Sequence, residues 1–195
     1  MNIRQTKLWL LPVLTLLLLV LDAALLGRDG AIHADSAGAP FPAFSTVTLD
    51  GCAVTEKIFA GKTTVVCIWT VRDAGQCRAA LEKLAALAES LPENAQFVGV
   101  VGDLKTDDIA EKRAAAKEIA AGFSFPQLIA NDDFAPFLTR LRNVPTVVFI
   151  DSAGRLVGQP VVGDEPELVK KELSRLLEKD SPRSLALKKI QGAIF

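Results

Sequence analysis

Hydrophobic and polar positions change period several times along this 195-residue chain, and each change marks an element. The stretch STVTLDGCAVT (45–55) alternates about Asp50-Gly51, the signature of a hairpin turn. TTVVCIW (63–69) is an unbroken β-branched and apolar run, which predicts a central strand buried on both faces. From Cys77 to Leu91 the spacing turns helical, with Leu81, Leu84, Ala88 and Leu91 on one stripe, and Pro92 ends it. AQFVGVVGD (95–103) is a second buried strand. A helix then starts at Asp107 and Asp108, runs through IAEKRAAAKEIAA and closes at Gly122. FPQLIAND and a short helix in DFAPFLTRL follow. VPTVVFIDSAGRLVG reads as two strands about a turn from Asp151 to Gly154, and EPELVKKELSRLLEK as a terminal amphipathic helix.

The order is β, α, β, then a helix, a β-hairpin and a helix. One helical crossover between buried strands implies a parallel pair, and the hairpin adds antiparallel strands. A mixed sheet with helices on both faces, the thioredoxin architecture, accommodates this order. Strands 63–69, 96–102 and 146–151 should be neighbours, with helices over about 77–91 and 165–179 packed on them. No internal repeat is visible. The expected organisation is a leader or anchor over 1–34, one α/β domain over 35–180 and a C-terminal tail over 181–195. DSAGAPFPAF (35–44), rich in small residues and proline, reads as a linker into the domain.

The leader changes the picture of where the domain works. Arg4 and Lys7 precede an apolar run from Leu8 to Leu21, followed by Asp22 and AALL. With Asp22 the stretch reaches about 19 residues, at the border for spanning a bilayer. It reads as a signal peptide or a signal anchor, with Ala31–Ala34 as a weak cleavage site. Positive charge kept inside places the remainder outside the cytoplasmic membrane, exported or tethered there by the N-terminal helix. The formal charge of -1 excludes the concentrated basic footprint of a nucleic-acid binder.

In an oxidising compartment three cysteines, at 52, 67 and 77, leave at least one unpaired within the monomer. Their spacing fits no zinc pattern, and His33, the sole histidine, lies outside the domain, so neither a metal nor a Cys–His pair is expected. No cofactor is implied. Cys67, inside the apolar strand, reads as a small core hydrophobe. Cys52 follows the Asp-Gly turn, where a thiol is expected at the surface, either free or paired with Cys77. Cys77 opens a helix, where the macrodipole favours a thiolate, with Arg72 and Arg78 adding to it and Asp73 opposing. The other reading of Cys77 is a buried thiol without chemistry.

Several stretches together resemble the membrane-anchored thioredoxin-like proteins of bacteria, the TlpA-like or ResA-like thiol-disulfide oxidoreductases, over roughly residues 40–178. VTLDGCAVTEKIFAGKTTVVCIW is similar to their opening hairpin and first central strand. FSFPQLIAND and NVPTVVFIDSAGRLVGQPVVG are similar to the approach to their cis-proline and to their closing hairpin. The resemblance implies that Pro145 is cis, and that Trp69, Val144, Pro145 and Thr146 contact an extended peptide substrate. It also implies that the partners are protein thiols and disulfides outside the cytoplasm. The departure is central. The family carries Cys-x-x-Cys here; Cys77 matches the second cysteine, but Ala74 stands where the first would be, and the loop from Trp69 is one residue longer.

The resulting expectation is a degenerate thiol-disulfide protein with Cys77 as its catalytic thiol and Cys52 as a possible resolving partner. A peptide-binding module without catalysis is an alternative. A peroxiredoxin-like peroxidase is another, since the spacing from Trp69 to Cys77 resembles that family, although Thr70 and Ala74 replace its proline and its threonine.

Overall fold

The computed structural model describes residues 38–179 apart from Thr106 and Ile109. Its strands are β1 (Ser45–Val47), β2 (Ala53–Thr55), β3 (Thr63–Trp69), β4 (Ala95–Val101), β5 (Gln127–Ile129), β6 (Thr146–Ile150) and β7 (Leu156–Val162). The helices are α1 (Ala74–Ala88), α2 (Ala110–Ala120), the one-turn α3 (Ala135–Leu138) and α4 (Pro166–Lys179), with 3-10 turns at Glu56–Phe59 and Asp132–Phe134.

Five strands form one sheet in the order β5-β4-β3-β6-β7. β3, β4 and β5 run parallel, while β6 and β7 are antiparallel to their neighbours. The central strands sit within one residue of the ends that hydrophobic periodicity predicts. Every residue of β3 is buried, as a strand covered on both faces requires. Alternate side chains feed two cores. Val65, Cys67 and Trp69 meet α1, α2 and α4 through Leu81, Leu84, Ile119, Val169 and Leu173. Val66 and Ile68 meet a second layer dominated by phenylalanines. This is a thioredoxin-like α/β fold.

The β1–β2 hairpin turns at Asp50-Gly51, where Gly51 takes a φ of 89° that a side chain would strain. β1 lies beside β5: Thr48 bridges Leu128, and the Leu49 N–H donates to the Gln127 carbonyl at 2.8 Å.

The segment expected to be a linker is instead part of the domain from residue 38. Phe41 and Phe44 are buried, and the Phe41 N–H donates to the Gly154 carbonyl at 2.9 Å. Their rings meet Phe59 and Phe134 edge-on or tilted, with centroids 5.3 Å (Phe41–Phe59) and 4.6 Å (Phe44–Phe134) apart. Proline and small residues suggested a spacer; the two aromatics decide the outcome, because each removes a large apolar area from water. The leader (Arg4, Lys7, Leu8–Leu21, Ala31–Ala34), His33 and the tail over 181–195 lie outside the described residues. Among the described residues no helix is long and apolar enough to cross a membrane.

Candidate functional site

β3 delivers the chain to the C-terminal edge of the parallel strands, where Trp69 ends the strand and residues 70–73 turn into α1. Two features set the path of this loop. The Gly102 N–H, just beyond β4, donates to the Trp69 carbonyl at 2.8 Å, extending the parallel register by one step. Asp103, the next residue, then accepts from the loop backbone twice: Oδ1 from the Val71 N–H at 2.8 Å and Oδ2 from the Arg72 N–H at 3.1 Å. Lys112 of α2 donates to the Asp103 carbonyl and, at 3.1 Å, to the Asp108 carboxylate, fixing the far side of the same turn. The Thr70 hydroxyl donates to Asp73 Oδ2 at 2.8 Å. Asp73 occupies the N-cap position of α1, but its carboxylate makes no cap bond to the helix.

Cys77 is the fourth residue of α1, and its N–H already donates to the Asp73 carbonyl at 3.0 Å. The free N–H groups of the first turn therefore belong to Ala74, Gly75 and Gln76. The Cys77 side chain points into the core beside Trp69 and Leu81 and has no exposed surface. Burial raises its thiol pKa above the ordinary value. Hydrogen bonding from the Thr70 backbone and hydroxyl pulls the other way, and the charges of Asp73 and Asp103 add to the rise. The Thr70 hydroxyl has one proton and gives it to Asp73, so the backbone N–H is the donor on which a thiolate here would depend.

The expected help from arginines does not materialise. Arg72 pairs with Asp73 at 3.7 Å and Arg78 with Glu118 at 3.7 Å, each turned toward a carboxylate rather than toward the sulfur.

Cys67 is fully buried, and burial lifts its thiol pKa to about 12, with the neighbouring Cys77 adding to the rise. It is the core residue its strand predicts. All three cysteines are free. The structure does not bring Cys52 and Cys77 together. Cys52 pairs with Thr48, Thr48 with Leu128, Leu128 with Val100 and Val100 with Ile68. Four strand spacings of about 4.8 Å put it roughly 19 Å from the central strand. A disulfide needs Cα atoms within about 7 Å, and with Cys52 exposed on the outlying hairpin and Cys77 buried in α1 the two are unpaired in this structure.

The expected peptide-contacting residues divide. Val144-Pro145 is a cis peptide bond facing the loop side of the sheet. Val144 is half-buried and, with Thr70, Arg72, Leu138 and Leu141, lines a pocket of about 170 Å³. Pro145 and Thr146 are buried, and the Thr146 hydroxyl donates to the Asn143 carbonyl at 2.6 Å. Trp69 is fully buried, with Nε1 donating to Gln127 Oε1 at 2.9 Å. Its expected substrate contact is corrected: odd-numbered residues of β3 face the layer under α1, so the indole is core. On the other side of the loop a shallow groove of about 340 Å³ runs past Val71, Ala74, Gly75 and Ile119.

Asp103, Gln127 and the Thr70 amide were not singled out from sequence. Only Asp103 carried a usable signal, a Gly-Asp pair directly after a parallel strand, where the chain reaches the loop of the neighbouring strand. Among the described residues no group of three or more His, Cys, Asp or Glu side chains converges to hold a metal ion.

Comparison with known proteins gives three results. A model of the redoxin family matches residues 36–177. No curated protein matches the chain in sequence. Solved structures match in fold. A DsbF homologue of Corynebacterium diphtheriae is similar with a TM-score of 0.60 at 18% identity, covering 76% of this chain and 94% of that one. The exposed lipoprotein thioredoxin of Streptococcus pneumoniae is similar with a TM-score of 0.56 at 20% identity, covering 68% and 98%. The thioredoxin domain of a thiol-disulfide oxidoreductase of Bacteroides vulgatus gives 0.54 at 21%, covering 69% and 96%.

Proposed function

The chain belongs to the redoxin family, and from that premise we propose that it carries out single-cysteine thiol–disulfide exchange outside the cytoplasmic membrane, with Cys77 as the reacting group. What supports the reading is one placement. The Cys77 sulfur lies in the opening turns of α1 beside the Thr70 backbone, whose hydrogen bonding favours a sulfur anion against the burial that raises the thiol pKa.

The cycle needs no second cysteine in the chain. The Cys77 thiolate attacks one sulfur of a substrate disulfide, forming a mixed disulfide and releasing the other sulfur as a thiolate. An external thiolate then attacks the substrate sulfur of the mixed disulfide, which returns Cys77 as thiolate and leaves the substrate joined to the external thiol. Electrons come from that external thiol. Val144, beside the pocket next to the loop, would meet an extended substrate segment. The N-terminal apolar stretch supports export or tethering. A reporter fused after Lys179 should be active only outside the cytoplasm.

The burial of Cys77 favours a second reading, a peptide-binding module without catalysis. A peroxidase is less well supported, because Ala74 offers no hydroxyl and that of Thr70 is committed to Asp73. The deciding experiment is disulfide reduction with a small thiol as reductant, using the unaltered protein, Cys77→Ala and Cys67→Ala. Weak turnover that disappears in Cys77→Ala and survives in Cys67→Ala is the expected result. Turnover unchanged in Cys77→Ala would sink the proposal.

A further inference from the structure

The loop beside Cys77 is gripped from outside by one carboxylate that takes two of its backbone N–H groups. The last ladder bond is the one from the Gly102 N–H to the Trp69 carbonyl; beyond it the Val71 and Arg72 N–H groups both end on the Asp103 carboxylate, at 2.8 and 3.1 Å. Asp103 is itself anchored, since Lys112 donates to its carbonyl. The loop lies between two concavities, one lined by Thr70 and Arg72 with Val144, the other by Val71, Ala74 and Gly75 with Ile119. It therefore has room to move on either side. Cys77 has no exposed surface and lies within hydrogen-bonding reach of Thr70 of this loop, although the helix turn above, Gly75 and Gln76, is exposed.

We propose that Asp103 is a latch: by gripping two adjacent amides of the loop it keeps the Cys77 thiol covered, and release of that grip is the step that admits a disulfide partner. Asp103 is thus a positioning residue, acting on the thiol through the loop. The proposal rests on Cys77 being the reacting thiol only for its use in exchange; the latch itself is a statement about access. The geometry has a simple logic. Bonds from N–H groups to an ionised carboxylate are stronger than neutral ones, so two on one carboxylate can close a loop that no ladder holds. Both are lost together when that one side chain moves away. Local opening of this kind lies at the low-free-energy end of native fluctuations, well below global unfolding.

The core supplies an internal control. Cys67 lies in β3 on the same side of the sheet and is just as thoroughly buried, but it sits in the middle of the central strand among the core residues under α1 rather than beside the loop. Opening of the loop exposes Cys77 alone; unfolding exposes both.

The test is the rate of alkylation by iodoacetamide at each cysteine, read by mass spectrometry at fixed pH in the folded protein. Asp103→Ala should raise Cys77 labelling at least tenfold with Cys67 still protected, and Asp103→Asn, which keeps one acceptor, should raise it less. Asp73→Asn removes a like charge near the sulfur but leaves both Asp103 bonds in place, so it separates charge from grip and should change the rate no more than about threefold. Three results overturn the latch: an unchanged Cys77 rate in Asp103→Ala, parallel labelling of Cys67, or equal effects of Asp73→Asn and Asp103→Ala. Should Asp103→Ala not fold, amide exchange in the unaltered protein decides. The Val71 and Arg72 amides should exchange at least a hundredfold faster than the Cys67 amide and without dependence on low denaturant; equal protection would overturn the proposal. Labelling reads access and turnover reads chemistry, so a protein that opens as described but fails to exchange disulfides refutes the proposed function and leaves the latch standing.

Discussion

The indole N–H of Trp69 and the side-chain carbonyl of Gln127 share a hydrogen bond of 2.9 Å that passes over β4 inside the core. The two residues sit on β3 and β5, which are not neighbours, and the strand between them makes room at one point. Gly99 is paired with both Cys67 and Gln127, and a Cβ there would overlap the Gln127 amide. Among the described residues every buried side-chain nitrogen and oxygen has a partner, and this bond satisfies the largest buried polar side chain of the strand that leads to Cys77.

Gln127→Leu should therefore leave the indole N–H unpaired in the core and cost about 1–3 kcal/mol. Gly99→Ala should cost a similar amount, because the new methyl can be housed only by displacing Gln127. In a Gln127→Ala background the same Gly99→Ala change should cost little, a coupling of about 1 kcal/mol or more. Urea unfolding of the four proteins measures it, and additive losses would show that Gly99 is required for some other reason.

Four of the five sheet strands, β3, β4, β6 and β7, and the terminal helix were legible in the sequence because their signals are local, whereas the three-residue β5 within FPQLIAND was not. TTVVCIW and TVVFI are β-branched and apolar without interruption, and α4 repeats its apolar residues at helical spacing with Val169, Leu173 and Leu176 inward. The site was legible in part. That a cysteine opens the helix after β3 could be read directly, but its cover could not. Whether Trp69 faces solvent or core depends on strand parity under α1, and its partner lies 58 residues away. Asp103 is marked in the sequence only by the Gly-Asp pair after β4, and its role appears once the parallel pairing of β3 with β4 sets it against residues 71 and 72. The N-terminal residues Phe41 and Phe44 were misjudged because composition averages over ten positions, while burial is decided by two.

Those two aromatics carry a prediction of their own. If residues 38–44 were a spacer, Phe41→Ala would change stability by no more than about 0.5 kcal/mol. Docked against Phe59, Phe134 and Phe137, the ring should be worth about 3 kcal/mol or more. Denaturant midpoints of Phe41→Ala and of the unaltered domain distinguish the two.

The buried thiols make stability fall on the alkaline side. Burial lifts Cys67 from 9.0 to about 12 and raises Cys77 in the same direction. Below about pH 9 both folded and unfolded chains keep these protons, and the contribution is fully present. Above it the unfolded chain loses thiol protons that the folded protein retains, so stability declines until pH passes the folded value. Cys67 alone should contribute a slope of about 1.4 kcal/mol per pH unit across this window. The chain has no tyrosine to confuse the reading. Unfolding free energies at pH 8 to 10.5 should fall more steeply in the unaltered protein than in Cys67→Ala; identical slopes would mean that Cys67 is open to solvent.

The missing cysteine can be put back, and the outcome tests the loop. Ala74 is the first residue of α1 and Cys77 the fourth, so the two side chains lie on one face of the helix about one turn apart. Their Cα separation in a regular helix falls inside the range a disulfide accepts. Ala74 is half-exposed, whereas Cys77 is sealed, which is the division of labour a dithiol needs: an accessible thiol that attacks and a covered one that resolves. A thiol at position 74 would also face the free N–H groups of the first turn, which lower its pKa. Ala74→Cys should therefore raise disulfide reductase activity at least tenfold. It should form a reversible intramolecular disulfide, visible as a loss of two hydrogens on oxidation, and lose the gain when combined with Cys77→Ala. A variant that labels readily at position 74 yet never closes onto Cys77 would show that the longer loop holds the helix start out of dithiol geometry. The single-cysteine cycle would then be the only exchange chemistry open to this site.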